Sequence, residues 1–116
     1  MGKLSTHVLD TTIGRPAQGV KIELYALQGS DRKHLTTITT NSDGRTDAPL
    51  LTGDEVVAGS YELVFHAGDY FAANGVELPS PRFVDQVSIH FGMEAGGSYH
   101  VPLVVTPWSW STYRGS

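Results

Sequence analysis

The chain has 116 residues, 40% of them hydrophobic, which is enough for one hydrophobic core and too few for two domains. Charged residues make up only 17%, and a net charge of −4 without any Lys or Arg run excludes a basic surface for nucleic acid or an anionic membrane. The absence of cysteine excludes a disulfide framework, a thiolate metal site and a thiol nucleophile. We therefore expect a single domain over residues 1–116.

The first residues carry no recognisable targeting signal. Residues 1–5, Met-Gly-Lys-Leu-Ser, lack the apolar stretch of a secretory signal, and no apolar run approaches the roughly 18 residues that cross a bilayer. We expect a cytoplasmic protein with no membrane partner and no nucleic-acid partner. A periplasmic chain from which the signal peptide had been removed would have the same sequence.

The first half of the chain favours strands. Residues 4–10 form an apolar-rich segment that suits a first strand, and residues 20–25 alternate apolar and polar side chains, as a strand with one buried face does. Residues 35–40 are rich in β-branched Thr and Ile. Turn-forming residues at 13–16 and 41–44 separate these segments.

The second half continues this pattern and adds one helix. Residues 61–66 and 86–91 alternate in the same way, and residues 99–106 form another β-favouring run. Residues 69–74 predict a short helix, with Gly75 placed to end it in a left-handed conformation. Short strands at this spacing are typical of a β-sandwich.

Two histidines in predicted strands are candidates for chemistry. His7 lies in the first strand, where a single histidine taken alone is more often structural than catalytic. His100 is more suggestive, because alternation places it on the face opposite Val101, Leu103 and Val105. If that aliphatic face is the core, the imidazole of His100 points out of it.

Pro102 interrupts the same strand, and proline has no N–H to donate to a central ladder. Either the strand is unpaired at this point, or residues 99–100 form a distorted entry to it. Both explanations place His100 at an irregular position of the sheet, where functional groups often lie.

Arg45 follows the turn-forming residues 42–44. Taken alone, it is best interpreted as a solvated arginine paired with Asp43 or Asp47. Its planar guanidinium, with five N–H donors, could instead hold a carbonyl group or a urate-like anion. The residue itself leaves both interpretations open.

The C-terminal nine residues alternate aromatic and hydroxyl side chains. Trp108, Trp110 and Tyr113 lie so near the last residue that we expect this end to be docked and not frayed. An exposed tryptophan strip promotes aggregation unless something covers it. Together with the sparse charge, it indicates a surface covered by other subunits.

The sequence has no recognisable metal or nucleophile motif. His34, His66 and His90 fall on separate predicted strands, without the i, i+2 or i, i+4 pairing of a metal site. A Gly-x-Ser-x-Gly elbow and a glycine-rich phosphate loop are also missing. We predict neither a metal nor another cofactor.

Three separated motifs together resemble the transthyretin-related 5-hydroxyisourate hydrolases. The first is Thr-His-Val-Leu-Asp at 6–10 with Gly-Arg-Pro at 14–16, and the second is Asp-Gly-Arg at 43–45. The third is Tyr-His-Val-Pro-Leu at 99–103, followed by Tyr-Arg-Gly-Ser at 113–116. The resemblance covers nearly the whole chain, and its most specific element is this ending, which the carrier protein transthyretin lacks together with the histidine pair.

The resemblance implies an all-β, transthyretin-like sandwich of two four-stranded sheets with one short helix, assembled as a homotetramer of two dimers with sites at subunit interfaces. It implies cofactor-free hydrolysis of 5-hydroxyisourate to 2-oxo-4-hydroxy-4-carboxy-5-ureidoimidazoline in urate breakdown. His7, Arg45, His100 and Ser116 match the family's catalytic positions. For substrate binding the matching residues are His7, Arg45 and Tyr113.

Two other classes of function remain open. A transthyretin-like carrier of aromatic hydrophobic ligands would use the same fold without the histidine pair, and an immunoglobulin-like structural module would leave both histidines idle. The motifs favour the hydrolase. The chain departs from the family at residues 108–110, Trp-Ser-Trp, where Tyr-Gly-Tyr or Tyr-Ser-Tyr is common, and this puts the fine specificity in question.

Overall fold

The computed structural model describes residues 2–115, which form two β-sheets with a shared core and one short α-helix. The helix, α1, spans Ala67–Ala73. The strands in chain order are β1 (Lys3–Asp10), β2 (Arg15–Pro16), β3 (Lys21–Gln28), β4 (Asp31–Thr39), β5 (Leu51–Thr52), β6 (Gly59–His66), β7 (Gln86–Met93), β8 (Ser98–Val105) and β9 (Trp110–Thr112).

The two sheets have different strand orders. One sheet runs β4-β3-β6-β7 and is antiparallel throughout. The other runs β2-β1-β8-β9, with β5 also paired to β1, and its central pair β1 and β8 is parallel. The predicted transthyretin-like sandwich is confirmed, and the additional two-residue strand β5 gives this second sheet five strands in the described chain.

The core lies between the sheets and follows from alternation along the strands. In β1 every second side chain is buried, and β8 buries the aliphatic face predicted for it. The largest fully buried aliphatic and aromatic side chains come from both sheets and α1, and include Phe65, Phe71, Leu4, Ile22, Leu24, Leu63 and Leu103. Side chains on the opposite face of β1 and β8 therefore point away from the core.

Two polar side chains of β1, Thr6 and Asp10, are buried, and hydrogen bonds offset the cost of removing them from water. The Thr6 hydroxyl donates to the Val101 carbonyl oxygen at 2.7 Å, which fastens β1 to β8. The Asp10 carboxylate accepts hydrogen bonds from the Tyr70 hydroxyl at 2.8 Å and the Thr12 amide at 2.9 Å. Burial and this carboxylate raise the pKa of Tyr70 to about 12, so the phenol stays protonated and links α1 to β1.

Pro102 lies where the pairing of β8 with β9 ends. The β8–β9 ladder joins residues 103–105 to 110–112, and the Thr112 hydroxyl donates to the Pro102 carbonyl oxygen at 2.7 Å. Pro102 has no N–H to donate, and it lies one residue before the first residue that pairs with β9. The pairing of β8 with β1 continues without a break through Pro102. Neither explanation given above holds in full, because the strand is paired with β1 at Pro102 and lacks ladder pairing there only on the side of β9.

The predicted helix and the strands predicted at residues 20–25 and 35–40 are present with shifted boundaries. Helix α1 begins two residues before the predicted 69–74, and Gly75 has the predicted positive φ, +81°. Strands β3 and β4 extend beyond the predicted segments because their ladder continues to Gln28 and Asp31, next to Gly29 at φ +62°. No helix in the described part of the chain is long and apolar enough to cross a membrane.

Candidate active site

The outer face of β1 and β8 brings both candidate histidines together. The parallel register pairs Ser5 with His100 and His7 with Pro102, so the two histidines occupy diagonally adjacent positions on one face of the sheet. Both residues are half-buried. Strand pairing between the two ends of the chain therefore creates a site that neither end contains alone.

A tight turn places Arg45 beside this pair. The side-chain oxygen of Asn41 accepts hydrogen bonds from the backbone amides of Asp43, at 2.9 Å, and Arg45, at 3.2 Å. Gly44 has φ +72°, and its carbonyl oxygen accepts a bond from the Val8 amide at 2.8 Å. A Cβ at Gly44 would overlap the Val8 carbonyl oxygen, so only glycine lets this turn lie directly on β1.

Arg45 forms an antiparallel bridge with His7 on the edge of β1 that faces away from β8, between the short pairings of β1 with β5 and β2. Pairing of its guanidinium with Asp43 or Asp47, the simpler expectation, is wrong: no ion pair among residues 2–115 involves Arg45. The Asp47 carboxylate instead accepts a hydrogen bond from the Asn41 amide at 2.9 Å. Among the described residues, no carboxylate lies within ion-pair distance of Arg45.

An open cavity of about 280 Å³ lies over this face. Its lining consists of Lys3, Ser5, Arg45, Ser98, Tyr99 and His100. Two of these residues are cationic and one is an imidazole, so the cavity suits a small, polar, anionic or carbonyl-rich molecule. His7 lies next to it on the same face of β1.

The imidazole of His100 is held on two edges. The Ser5 hydroxyl lies 2.9 Å from Nδ1. The opposite edge faces Gly115, where an added Cβ would lie 2.5 Å from Cδ2 of the ring. The Gly115 amide also donates to the backbone carbonyl oxygen of His100 at 2.8 Å. The C-terminal segment therefore packs directly against this histidine.

The surroundings favour the neutral form of both imidazoles by lowering their pKa values. Burial lowers the pKa of His100 because the charged form loses hydration, and the charges of Arg45, His7 and Lys3 lower it further. Burial is also the main cause that lowers the pKa of His7, followed by the Arg45 charge, while a hydrogen bond to the Asp43 backbone opposes both. A neutral imidazole has a free nitrogen that accepts a proton.

Arg114 fastens the C-terminal segment to β8. Its guanidinium carbon lies 4.5 Å from the centre of the Tyr99 ring, and Nη2 donates to the Ser98 carbonyl oxygen at 3.2 Å.

Tyr113 is 63% exposed and lines a separate, mainly apolar cavity near β7, so within one chain it does not reach the cavity of His100. Ser116 lies outside the described residues.

The three remaining histidines belong to the other sheet. His66 contacts Glu23 at 2.6 Å, His90 contacts Glu62 at 3.3 Å, and the ring of His34 lies 2.6 Å from the Thr37 hydroxyl. Over residues 2–115 there is no group of three or more His, Cys, Asp or Glu side chains that could hold a metal ion.

Four residues of the cavity lining were missed from the sequence: Ser98 and Tyr99 of β8, and Lys3 and Ser5 of β1. The alternation of β1 already places Lys3 and Ser5 on the same face as His7, and this was the available signal for these two. The alternation does not predict the register of β1 with β8, and it is this register that pairs Ser5 with His100.

The sheet with the parallel central pair carries two half-buried histidines on its outer face, beside an arginine that has no ion-pair partner among residues 2–115. These features define a small-molecule site on a transthyretin-like fold. The chain matches the model of the HIUase/Transthyretin family over residues 4–115. It belongs to this family.

Named relatives agree with this membership. The chain is 58% identical over 115 residues to a 5-hydroxyisourate hydrolase of Mesorhizobium japonicum, covering 99% of this chain and 93% of the relative. The solved 5-hydroxyisourate hydrolase of Klebsiella pneumoniae is 35% identical, with full coverage of both chains and a TM-score of 0.82. Sea bream transthyretin in complex with thyroxine, at 22% identity, 97% and 94% coverage and a TM-score of 0.86, shows the fold alone.

The contact between the C-terminal segment and His100 gives a direct prediction. A Gly115→Ala substitution places a methyl group against Cδ2 of the ring, so the imidazole or the segment must move. We expect the Cδ2–H resonance of His100 in a proton–carbon NMR spectrum to shift, while those of His66 and His90 stay in place.

A matched control is Gly92→Ala in β7, where the added methyl would meet only the Gly59 carbonyl oxygen at 3.8 Å. This variant should leave the His100 resonance where it is. An unchanged His100 signal in Gly115→Ala would mean that the C-terminal segment does not pack on the ring in solution.

Proposed function

We propose that the chain hydrolyses 5-hydroxyisourate to 2-oxo-4-hydroxy-4-carboxy-5-ureidoimidazoline, a step of urate breakdown. The observation that carries this proposal is a pair of half-buried imidazoles with lowered pKa values beside an arginine that has no ion-pair partner within residues 2–115. The high identity to curated relatives of that name over the full chain supports the same reaction.

The reaction needs a base near neutral pH, because water is a weak nucleophile towards an amide carbonyl. The water oxygen bonds to the carbonyl carbon while one of its protons passes to an imidazole of the pair formed by His7 and His100. The ring carbon–nitrogen bond then breaks, and the imidazolium returns the proton to the departing nitrogen. The carbonyl carbon becomes a carboxylic acid and no proton is lost or gained by the protein.

Arg45 supplies the positive charge that this reaction needs. Negative charge develops on the carbonyl oxygen when water adds, and a fixed cation stabilises that oxyanion more than it stabilises the neutral carbonyl. The turn that holds Arg45 on β1 is fastened before substrate arrives, by the Asn41 and Val8 hydrogen bonds. Little reorganisation is then required during the reaction.

Ser116 and Tyr113 stay predictions from the family resemblance. Gly115 packs on His100, and Ser116 itself lies outside the described residues. Tyr113 lines another cavity of its own chain, so a substrate contact by Tyr113 requires the site of a neighbouring subunit. The proposed assembly is therefore part of the same hypothesis.

We propose a homotetramer with sites at the subunit interfaces. Large apolar side chains stay exposed on the single chain, notably Phe83 at 73% and Trp108 at 59%, whose ring centres lie 6.3 Å apart. Trp110 is also exposed, in β9 at the end of a sheet. Exposed aromatic groups of this size favour burial by another subunit.

Light scattering of the purified protein is expected to give a mass of four chains of 12.5 kDa each. The physical reason is the burial of the exposed aromatic side chains between copies. A mass of one or two chains would contradict the proposed tetramer, and a single-chain mass would favour the structural-module interpretation.

The hydrolase proposal predicts that the protein accelerates the ultraviolet absorbance decay of freshly generated 5-hydroxyisourate above its spontaneous rate. Because each imidazole belongs to the proton-accepting pair, His7→Ala and His100→Ala should each lose most of the acceleration while retaining the oligomeric mass. Arg45→Ala should lower kcat by roughly a hundredfold to a thousandfold, as removal of an oxyanion donor does.

His34→Ala is the matched control, since His34 is exposed on β4 of the other sheet. It should retain wild-type activity. If the wild-type protein does not accelerate the decay, the hydrolase proposal fails, and thyroid-hormone binding without hydrolysis would favour the ligand carrier. An active His7→Ala or His100→Ala variant would remove that residue from the mechanism.

A further inference from the structure

Ser5 lies beside His100 on the outer face of β1 and has no role in the reaction described above. We propose that Ser5 is a positioning residue: its hydroxyl fixes the orientation and tautomer of His100, so that Nε2 of this ring is the nitrogen that accepts the proton. The inference rests on the proposed hydrolase function for its kinetic consequence. Its structural part, the tautomer of His100, stands independently of that function.

The register of two parallel strands creates the contact. Ser5 and His100 are direct partners in the β1–β8 pairing, and both point to the outer face. The Ser5 Oγ lies 2.9 Å from His100 Nδ1, a normal hydrogen-bond distance. The next residue pair is fixed by the buried hydrogen bond from Thr6 to the Val101 carbonyl oxygen, at 2.7 Å. The hydroxyl is thus held in place by the sheet itself.

The ring has little freedom to turn away from this contact. Gly115 packs along the Cδ2 edge, on the side opposite Nδ1, and a single methyl group there would come within 2.5 Å of the ring. Nδ1 is held by Ser5, Cδ2 is covered by Gly115, and Cγ joins the ring to Cβ, so the remaining atoms of the ring are Cε1 and Nε2. Of the two nitrogens, only Nε2 is left for substrate or water.

The charges around the cavity select the tautomer. A serine hydroxyl either donates to or accepts from a neutral imidazole nitrogen. The cavity over His100 contains the cations of Lys3 and Arg45, with the imidazole of His7 alongside, and these positive charges disfavour the tautomer whose single N–H is on Nε2 and points towards them. Nδ1–H therefore donates to Ser5 Oγ, and Nε2 keeps the lone pair that accepts a proton.

The kinetic test compares three substitutions in the complete protein. Ser5→Thr keeps the hydroxyl, whereas Ser5→Val has nearly the same shape without it and Ser5→Ala removes it with less bulk. We expect kcat for 5-hydroxyisourate to fall by roughly ten- to a hundredfold in Ser5→Val and Ser5→Ala, with KM little changed, as for other residues that orient a reacting group. Ser5→Thr should stay within a few-fold of wild type.

Ser60→Val is the matched control, because Ser60 is an exposed residue of β6 in the other sheet. It should leave kcat unchanged, which excludes a general effect of valine at a strand serine. Equal kcat values for Ser5→Val and Ser5→Thr would overturn a positioning role for the hydroxyl.

Nitrogen NMR of the His100 ring tests the structural part without any substrate. In wild type and Ser5→Thr, Nδ1 should show the chemical shift of a protonated nitrogen and Nε2 that of an unprotonated one. Ser5→Ala should give a mixture of both tautomers. A protonated Nε2 in the wild type would overturn the inference even if hydrolysis is observed, and loss of hydrolase activity in the wild type would leave this readout intact.

Discussion

The parallel pairing of β1 with β8 is the contact on which the site depends. These strands lie near opposite ends of the sequence, and their register sets Ser5 beside His100 and His7 beside Pro102. A shift of this register by one residue would turn every one of these side chains to the other face. Burial of Leu4, Val8 and Leu103 between the sheets opposes such a shift, so the hydrophobic core also fixes the catalytic geometry proposed here.

Electrostatics give this geometry its proposed chemical use. Two charged imidazoles, half-buried beside Arg45, would be costly in free energy. Burial and the charge of Arg45 accordingly lower the pKa of each ring. The same cation suits the oxyanion formed when water adds to a carbonyl. Burial and the Arg45 charge thus both lower the pKa of the proposed bases, and the same charge is the one proposed to stabilise the oxyanion.

Much of the fold and part of the site follow from local sequence patterns. Alternation predicted most strands and the outward position of His100, because side chains repeat every second residue on a pleated strand. The contact of Ser5 with His100 joins residues 95 positions apart, and no local pattern specifies which distant strands pair. Arg45 was assigned to its site through the family resemblance, since its local sequence taken alone favours pairing with nearby aspartates.

The ionisation state of the two imidazoles tests this account most directly. In an NMR titration of His7 and His100, both rings should become protonated only below pH 6.5, the ordinary value, because burial and Arg45 lower each pKa. Replacing Arg45 by Gln should raise both pKa values. Protonation of both rings at or above pH 6.5, without any change in the Arg45→Gln variant, would contradict a site built on neutral imidazoles beside a fixed cation.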